Sequence, residues 1–333
     1  MPMASPKDEE LQSFGINPHD EGMHPYPADM PEWQESIFYD WIDEQGSLAG
    51  HCRVGLHPAD NKIWLWLFLT DGDGWVAIEK THLPYSEFTE DTWAFQHEGV
   101  KFERGVPKPL RENTLKVSGM ARGISGTHQG HEIPVDVSLH FHAAGAAYSM
   151  GEREETGPDG KEYEAKRFEQ PMTVQGSMQI GESSHAIEGH GERDHSWGTR
   201  YWELMDWTFL ILHSDKLRAQ CTEVLFGENS FTLGYVQNPK MVPIYEATFD
   251  MEFSADLENP CSGTIKIPLN GGETLEGKVV PVGVVPIEIA HVYPTPMDSV
   301  YRRALVRWEP IDGSEPCMGW LEWCRRPAEE VAG

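Results

Sequence analysis

The sequence predicts an all-β protein: two antiparallel barrels or sandwiches in tandem, with few short helices. Three observations carry this. Short runs of aromatic and β-branched residues are divided by turn signals at Asp71-Gly-Asp-Gly74, Gly157-Pro-Asp-Gly160, Asn270-Gly-Gly272 and Asp312-Gly313. Within the runs, apolar residues recur at every second position: Ile133, Val135, Val137, Leu139 and Phe141 share one face, opposite Asp136, Ser138, His140 and His142. The chain has 333 residues, more than a typical single domain, and no stretch sustains an apolar helical stripe over several turns.

In chain order, residues 1–30 are rich in Pro, Asp, Glu and Met, close on His24-Pro25-Tyr26-Pro27, and read as an irregular lead-in. Residues 31–182 form the first β domain. It contains Ile63–Leu69, apolar on both faces and therefore a buried strand, with Trp64 and Trp66 as core. Residues 183–326 form the second domain, with the boundary placed at Glu182-Ser-Ser184, and residues 327–333 form a tail. Phe249–Phe253 and Thr264–Pro268 repeat the two-residue alternation. A weak echo links the halves: Tyr39-Asp-Trp41 leads to Lys62–Leu69, as Tyr201–Trp207 leads to Thr208–His213.

The formal net charge of −28, from 54 acidic and 26 basic residues, opposes binding to nucleic acid or anionic lipid. The longest apolar run has seven residues, against the roughly twenty of a spanning helix, so membrane insertion is not expected. The first residues lack a basic segment followed by an apolar one, which predicts no signal peptide and a cytoplasmic protein. Cys52, Cys221, Cys261, Cys317 and Cys324 are scattered and odd in number, without Cys-x-x-Cys spacing, and read as reduced, mostly buried thiols. His128, His131, His140 and His142 crowd one region, but no carboxylate stands at ligand spacing and no His-Glu-x-x-His occurs, so no metal site is expected. Phosphate-loop, dinucleotide and nucleophile-elbow motifs are missing, so no cofactor is expected.

The densest chemistry lies in Gly189–Trp202, where acid, base, cation and large aromatics alternate. Extended backbone places Arg193, His195 and Trp197 on one face, with Asp194 and Ser196 on the other. Four segments then resemble the AttH-like and carotenoid 1,2-hydratase-like superfamily: Trp33–Tyr39, Arg167-Phe-Glu-Gln-Pro171, Gly191–Gly198 and Met318–Trp323. The resemblance implies two lipocalin-like β domains and a hydrophobic ligand, isoprenoid, steroid or polyketide-like, held where the domains meet. It also implies that the His-x-Trp pair of the hydratases maps onto His195 and Trp197. The Tyr-x-Asp pair that those hydratases use on a following strand has no counterpart between Trp197 and Tyr245.

Hydrating, isomerising or cyclising an alkene requires an acid that protonates carbon and a surface that tolerates a cation. Burial among aromatics keeps a carboxyl protonated, and ring faces stabilise the cation. Asp194, Asp206, Glu169 and Glu223 are the candidate acids, Asp194 first. Asp194 alternatively only fixes His195. His195 either moves a proton or positions water, or is a buried imidazole satisfied by Asp194. Trp197, Tyr201, Trp202 and Trp207 are the candidate ring contacts, joined by Gln170 and by Tyr39, for which core packing is the alternative. The expected function is a cofactor-independent acid/base enzyme on a hydrophobic unsaturated small molecule. The alternative is a non-catalytic carrier with the same cavity.

Overall fold

The computed structural model describes residues 5–200, 206–226, 229–287 and 299–326. It is nearly all β, in two antiparallel sheets, and its contacts divide the chain into two compact units after Arg200. The only α-helix among the described residues is the single turn Asp8–Leu11.

The N-terminal unit carries Trp33–Asp43 (β1), Ala49–His57 (β2), Lys62–Thr70 (β3), Trp75–Pro84 (β4), Ala94–His97 (β5), Val100–Lys108 (β6), Glu112–Gly123 (β7), Glu132–Ala143 (β8), Tyr148–Thr156 (β9), Glu162–Ile180 (β10) and Ser183–Thr199 (β11). Pairing runs β4-β3-β2-β1-β11-β10-β8-β7, and Val76 and Ala77 of β4 pair with Gly123 and Arg122 of β7. That last pairing closes the sheet into a barrel, the architecture of a lipocalin-like domain. The two-residue alternation sets what faces inward. On β8, Val135, Val137, Leu139 and Phe141 are buried while Asp136 and His140 are exposed. On β1, Trp33, Ile37, Tyr39 and Trp41 belong to the core. Fully burying one such large apolar side chain contributes roughly 2 kcal/mol.

Two sequence expectations change here. The boundary falls after Arg200 and not at 182/183, because Ser183–Thr199 is an interior strand of the first sheet, paired with β10 on one edge and β1 on the other. The lead-in is not merely irregular. It has the turn Asp8–Leu11 and a 3-10 turn at Pro18–Glu21, and it buries Leu11, Ile16, Asp20 and Glu21. Close approach of β11 to both neighbours requires glycine: a Cβ on Gly191 would strike the Asp40 carbonyl of β1, and one on Gly198, at φ +123°, would meet Ala165 of β10.

The C-terminal unit is a nine-stranded sheet. Its strands are Asp206–His213 (β12), Arg218–Phe226 (β13), Asn229–Gln237 (β14), Met241–Ile244 (β15), Thr248–Phe253 (β16), Pro260–Pro268 (β17), Thr274–Pro286 (β18), Val300–Pro310 (β19) and Cys317–Arg325 (β20). Its order is β15-β14-β13-β12-β20-β19-β18-β17-β16. Leu210, Leu212, Ile265, Val306, Trp308 and Trp323 lie in its core. All five cysteines are free, and only Cys261 is exposed. Among the described residues, no helix is long and apolar enough to cross a membrane.

Candidate functional site

Strand β11 organises the chemistry because its neighbours are in register with it. His195 stands opposite Ile37 of β1 and Phe168 of β10, Arg193 opposite Tyr39 and Gln170, and Asp194 opposite Phe38 and Glu169. Odd positions of β11 therefore share the barrel-interior face with the core residues Ile37, Tyr39 and Phe168. Even positions share the other face.

The inner face holds a buried ionic network. Arg193 grips Glu21 through both terminal nitrogens, Nη1–Oε2 at 3.0 Å and Nη2–Oε1 at 2.6 Å. Arg104 donates to Glu21 Oε2 at 2.5 Å and to the Tyr39 hydroxyl at 2.9 Å. Tyr39 donates in turn to Asn113 at 2.8 Å, and Gln170 accepts from Arg193 while donating to the Leu110 and Gly145 carbonyls. Burial alone would raise the Glu21 carboxyl, but Arg193 and Arg104 outweigh it and bring it down to about 2. Tyr39 and Gln170, expected as substrate contacts, thus serve to satisfy these two arginines.

Beside that network, Glu35 accepts hydrogen bonds from His195 Nε2 at 2.8 Å and His24 Nδ1 at 2.9 Å, both on Oε1, and from the His24 backbone N–H on Oε2 at 3.1 Å. Burial pushes Glu35 up, yet the two imidazoles hold it below the usual carboxylate range. Burial pushes His195 down and outweighs Glu35, so a neutral imidazole donates to an ionised carboxylate. The His24 ring stacks on Trp197 at 3.5 Å and 6°, and Trp93 meets His195 edge-on at 5.4 Å. His24 and Trp197 border a cavity of about 730 Å³, with Tyr26, Tyr163, Glu90 and Glu162 among its other walls, all from the N-terminal unit.

On the opposite face of the same strands, Arg167 Nη2 bridges two carboxyls, Glu169 Oε1 at 2.6 Å and Asp194 Oδ2 at 2.9 Å. Glu169 Oε2 and Asp194 Oδ1 are buried and have no hydrogen-bond partner. Burial raises the Glu169 carboxyl to about 8; Arg167 opposes this, while Asp194 and Asp40 add to it. At neutral pH Glu169 therefore keeps its proton.

A family model described as a domain of unknown function, DUF7064, matches residues 17–327. The chain belongs to the DUF7064 family. Three solved structures resemble this DUF7064 chain in fold. A protein provisionally assigned as AttH from Nitrosomonas europaea has a TM-score of 0.64 at 13% identity, covering 96% of this chain and 98% of its own. Kievitone hydratase from Nectria haematococca has a TM-score of 0.57 at 12% identity, covering 98% and 97%. CghA has a TM-score of 0.51 at 11% identity, covering 97% and 98%. No curated protein matches the sequence. At these identities the likeness is one of fold, and it is the AttH-type, tandem lipocalin-like fold that the sequence resembles.

In this DUF7064 protein, the sequence-predicted residues do not form one cluster. His195 and Trp197 come together inside the barrel, whereas Asp194 and Glu169 come together on the other face. Asp194 does not fix His195, because adjacent strand residues point to opposite sides; Glu35 fills that role. Asp206 pairs with Arg326 at 3.1 Å, and the Trp207 indole donates to Glu322 at 3.0 Å, both within the C-terminal unit. Glu223, also weighed as an acid, lies 3.4 Å from Arg325. Tyr201 and Trp202 lie outside the described residues. Of the histidine-rich segment, His128 pairs with Asp71 at 3.0 Å. Among the described residues, the histidine and carboxylate donors that converge are instead His24, Glu35 and His195. The sequence held one signal for Glu35, its place on the face of Tyr39 and Trp41. For His24 and Glu21, in a stretch without periodicity, it held none.

Proposed function

We propose that this chain is an acid/base enzyme that hydrates, dehydrates, isomerises or cyclises a hydrophobic unsaturated small molecule of terpenoid, steroid or polyketide-like character. Glu169 is the acid and Asp194 its paired carboxyl. The observation that carries this is Glu169 itself: a fully buried carboxyl, pushed up by that burial, sharing Arg167 with a second carboxyl that stands directly across the strand pair. A carboxyl whose proton is held by burial, beside a second carboxyl that shares its arginine, is equipment for acid/base catalysis. Glu169 gives its proton to an alkene carbon. Asp194 takes one from the water that adds, or from the neighbouring carbon when a double bond is re-formed. Phe38, the cross-strand neighbour of Asp194 on the same face, offers a ring to the developing cation. The presence of a hydratase, kievitone hydratase, among proteins of this fold supports the reaction class.

The test is turnover of unsaturated terpenoid, steroid and polyketide-like probes in D₂O. Wild type places solvent deuterium on product carbon, and Glu169→Gln, which keeps the shape and removes the acid, loses about 100-fold or more of kcat while still binding the probe. Equal kcat in Glu169→Gln overturns the assignment. Tight binding without exchange or conversion by the wild type identifies a carrier instead.

A further inference from the structure

We propose that His24, Glu35 and His195 bind a divalent first-row transition-metal ion, His24 through Nδ1, His195 through Nε2 and Glu35 through its carboxylate. This does not rest on the acid/base reading, since these residues lie on the barrel-interior face and Glu169 and Asp194 on the other.

The geometry comes first. The three donor atoms all lie within 4.8 Å of one another, and both nitrogen–oxygen separations, 2.8 and 2.9 Å, are short. Around an ion with bonds of about 2.1 Å, neighbouring donors stand about 3.0 Å apart in octahedral and about 3.4 Å apart in tetrahedral geometry, so widening the two nitrogen–oxygen separations by roughly 0.1 to 0.6 Å admits the ion. Two imidazoles and one carboxylate are a donor set that suits zinc, iron or cobalt, and three protein ligands leave coordination positions open.

Charge is the second argument. Glu35 is 3% exposed, and no lysine or arginine among the described residues pairs with it; its ion-pair partners are the two histidines. Glu21, buried to the same depth on the same face, has two arginines. A buried carboxylate without a matching cation is costly, and a divalent ion supplies the missing charge. The third argument is access. His24 borders the cavity of about 730 Å³, whose lining carries Glu90, Glu162 and Glu164 against one lysine, Lys161, an excess of negative charge that favours cations. Stacking on Trp197 and the edge of Trp93 fix the two imidazole rings in place.

The experiment dialyses the full chain against a chelator and titrates it with Co²⁺ and, separately, Zn²⁺, following calorimetric stoichiometry and the visible absorption of bound Co²⁺. The expected result is saturable uptake of a single ion, with a low-symmetry Co²⁺ spectrum that Zn²⁺ displaces. Affinity falls about 100-fold or more in both Glu35→Gln and His24→Ala, and Glu169→Gln keeps it. His24 lies outside the strands, so His24→Ala tests the site even where Glu35→Gln perturbs the barrel, and far-UV circular dichroism confirms folding. Absence of saturable uptake overturns the proposal, as does unchanged affinity in folded His24→Ala, which would place the ion on the Glu90, Glu162 and Glu164 carboxylates of the cavity lining. Loss of deuterium exchange in Glu169→Gln with metal uptake intact separates the two sites.

Discussion

The two faces of β11 bury carboxyl groups equally deeply and treat them in opposite ways. On the inner face Glu21, 4% exposed, is held ionised down to about pH 2, and on the outer face Glu169, 0% exposed, keeps its proton to about 8. Depth is not the variable. Glu21 meets two arginines and the Leu110 backbone N–H, whereas Glu169 shares one arginine with Asp194 and feels Asp40 as well. Counting the donors and charges that face a carboxyl decides its state once burial is given. The inner ion pairs hold the lead-in onto the barrel, and the outer pair leaves a proton available.

Removing the inner charge should have the largest effect. Glu21→Gln strands Arg104 and Arg193 in the core and should cost about 3 to 5 kcal/mol of unfolding free energy, read from urea midpoints. A cost similar to that of an exposed substitution would erase the contrast between the faces. Next in size is the pH response, in which the two faces have opposite slopes. Glu21 lies below its ordinary 4.5 when folded, so its contribution is complete above about pH 4.5 and is lost as pH falls towards about 2. Glu169 lies above 4.5 when folded, so the native state binds the extra proton, and stability declines as pH rises from about 4.5 through about 8. Midpoints measured across that range should fall on both sides, and Glu169→Gln should flatten the alkaline fall alone.

A smaller effect sharpens the comparison further. Glu169→Gln at neutral pH replaces a protonated carboxyl by a neutral amide of the same shape and should change stability by less than about 1 kcal/mol. A loss as large as that of Glu21→Gln would mean that Glu169 is ionised. Smallest of all, Asp206→Asn removes a partly exposed pair with Arg326, expected to be worth about 0 to 1 kcal/mol in thermal unfolding.

Much of the fold was legible because its signal is local. The alternation in Ile133–His142 reappears as β8, and the doubly apolar Ile63–Leu69 as the buried β3. The boundary was misplaced because Glu182-Ser-Ser184 spans a tight turn, Gly181-Glu182, and the start of β11, and a linker would resemble that stretch in composition. The site was half legible. The period placed His195 and Trp197 together and Asp194 apart, and it drew attention to Glu169 and Asp194 without joining them. Arg167 joins them only because β10 and β11 pair with Glu169 opposite Asp194.

By itself the sequence determined which residues share a face, since strand period is a property of a few consecutive residues. Tertiary structure decided the partners: Glu35, 160 positions from His195, and Glu21, 172 from Arg193. Barrel closure sets that register and draws the lead-in against it, and no local window of the chain contains those contacts.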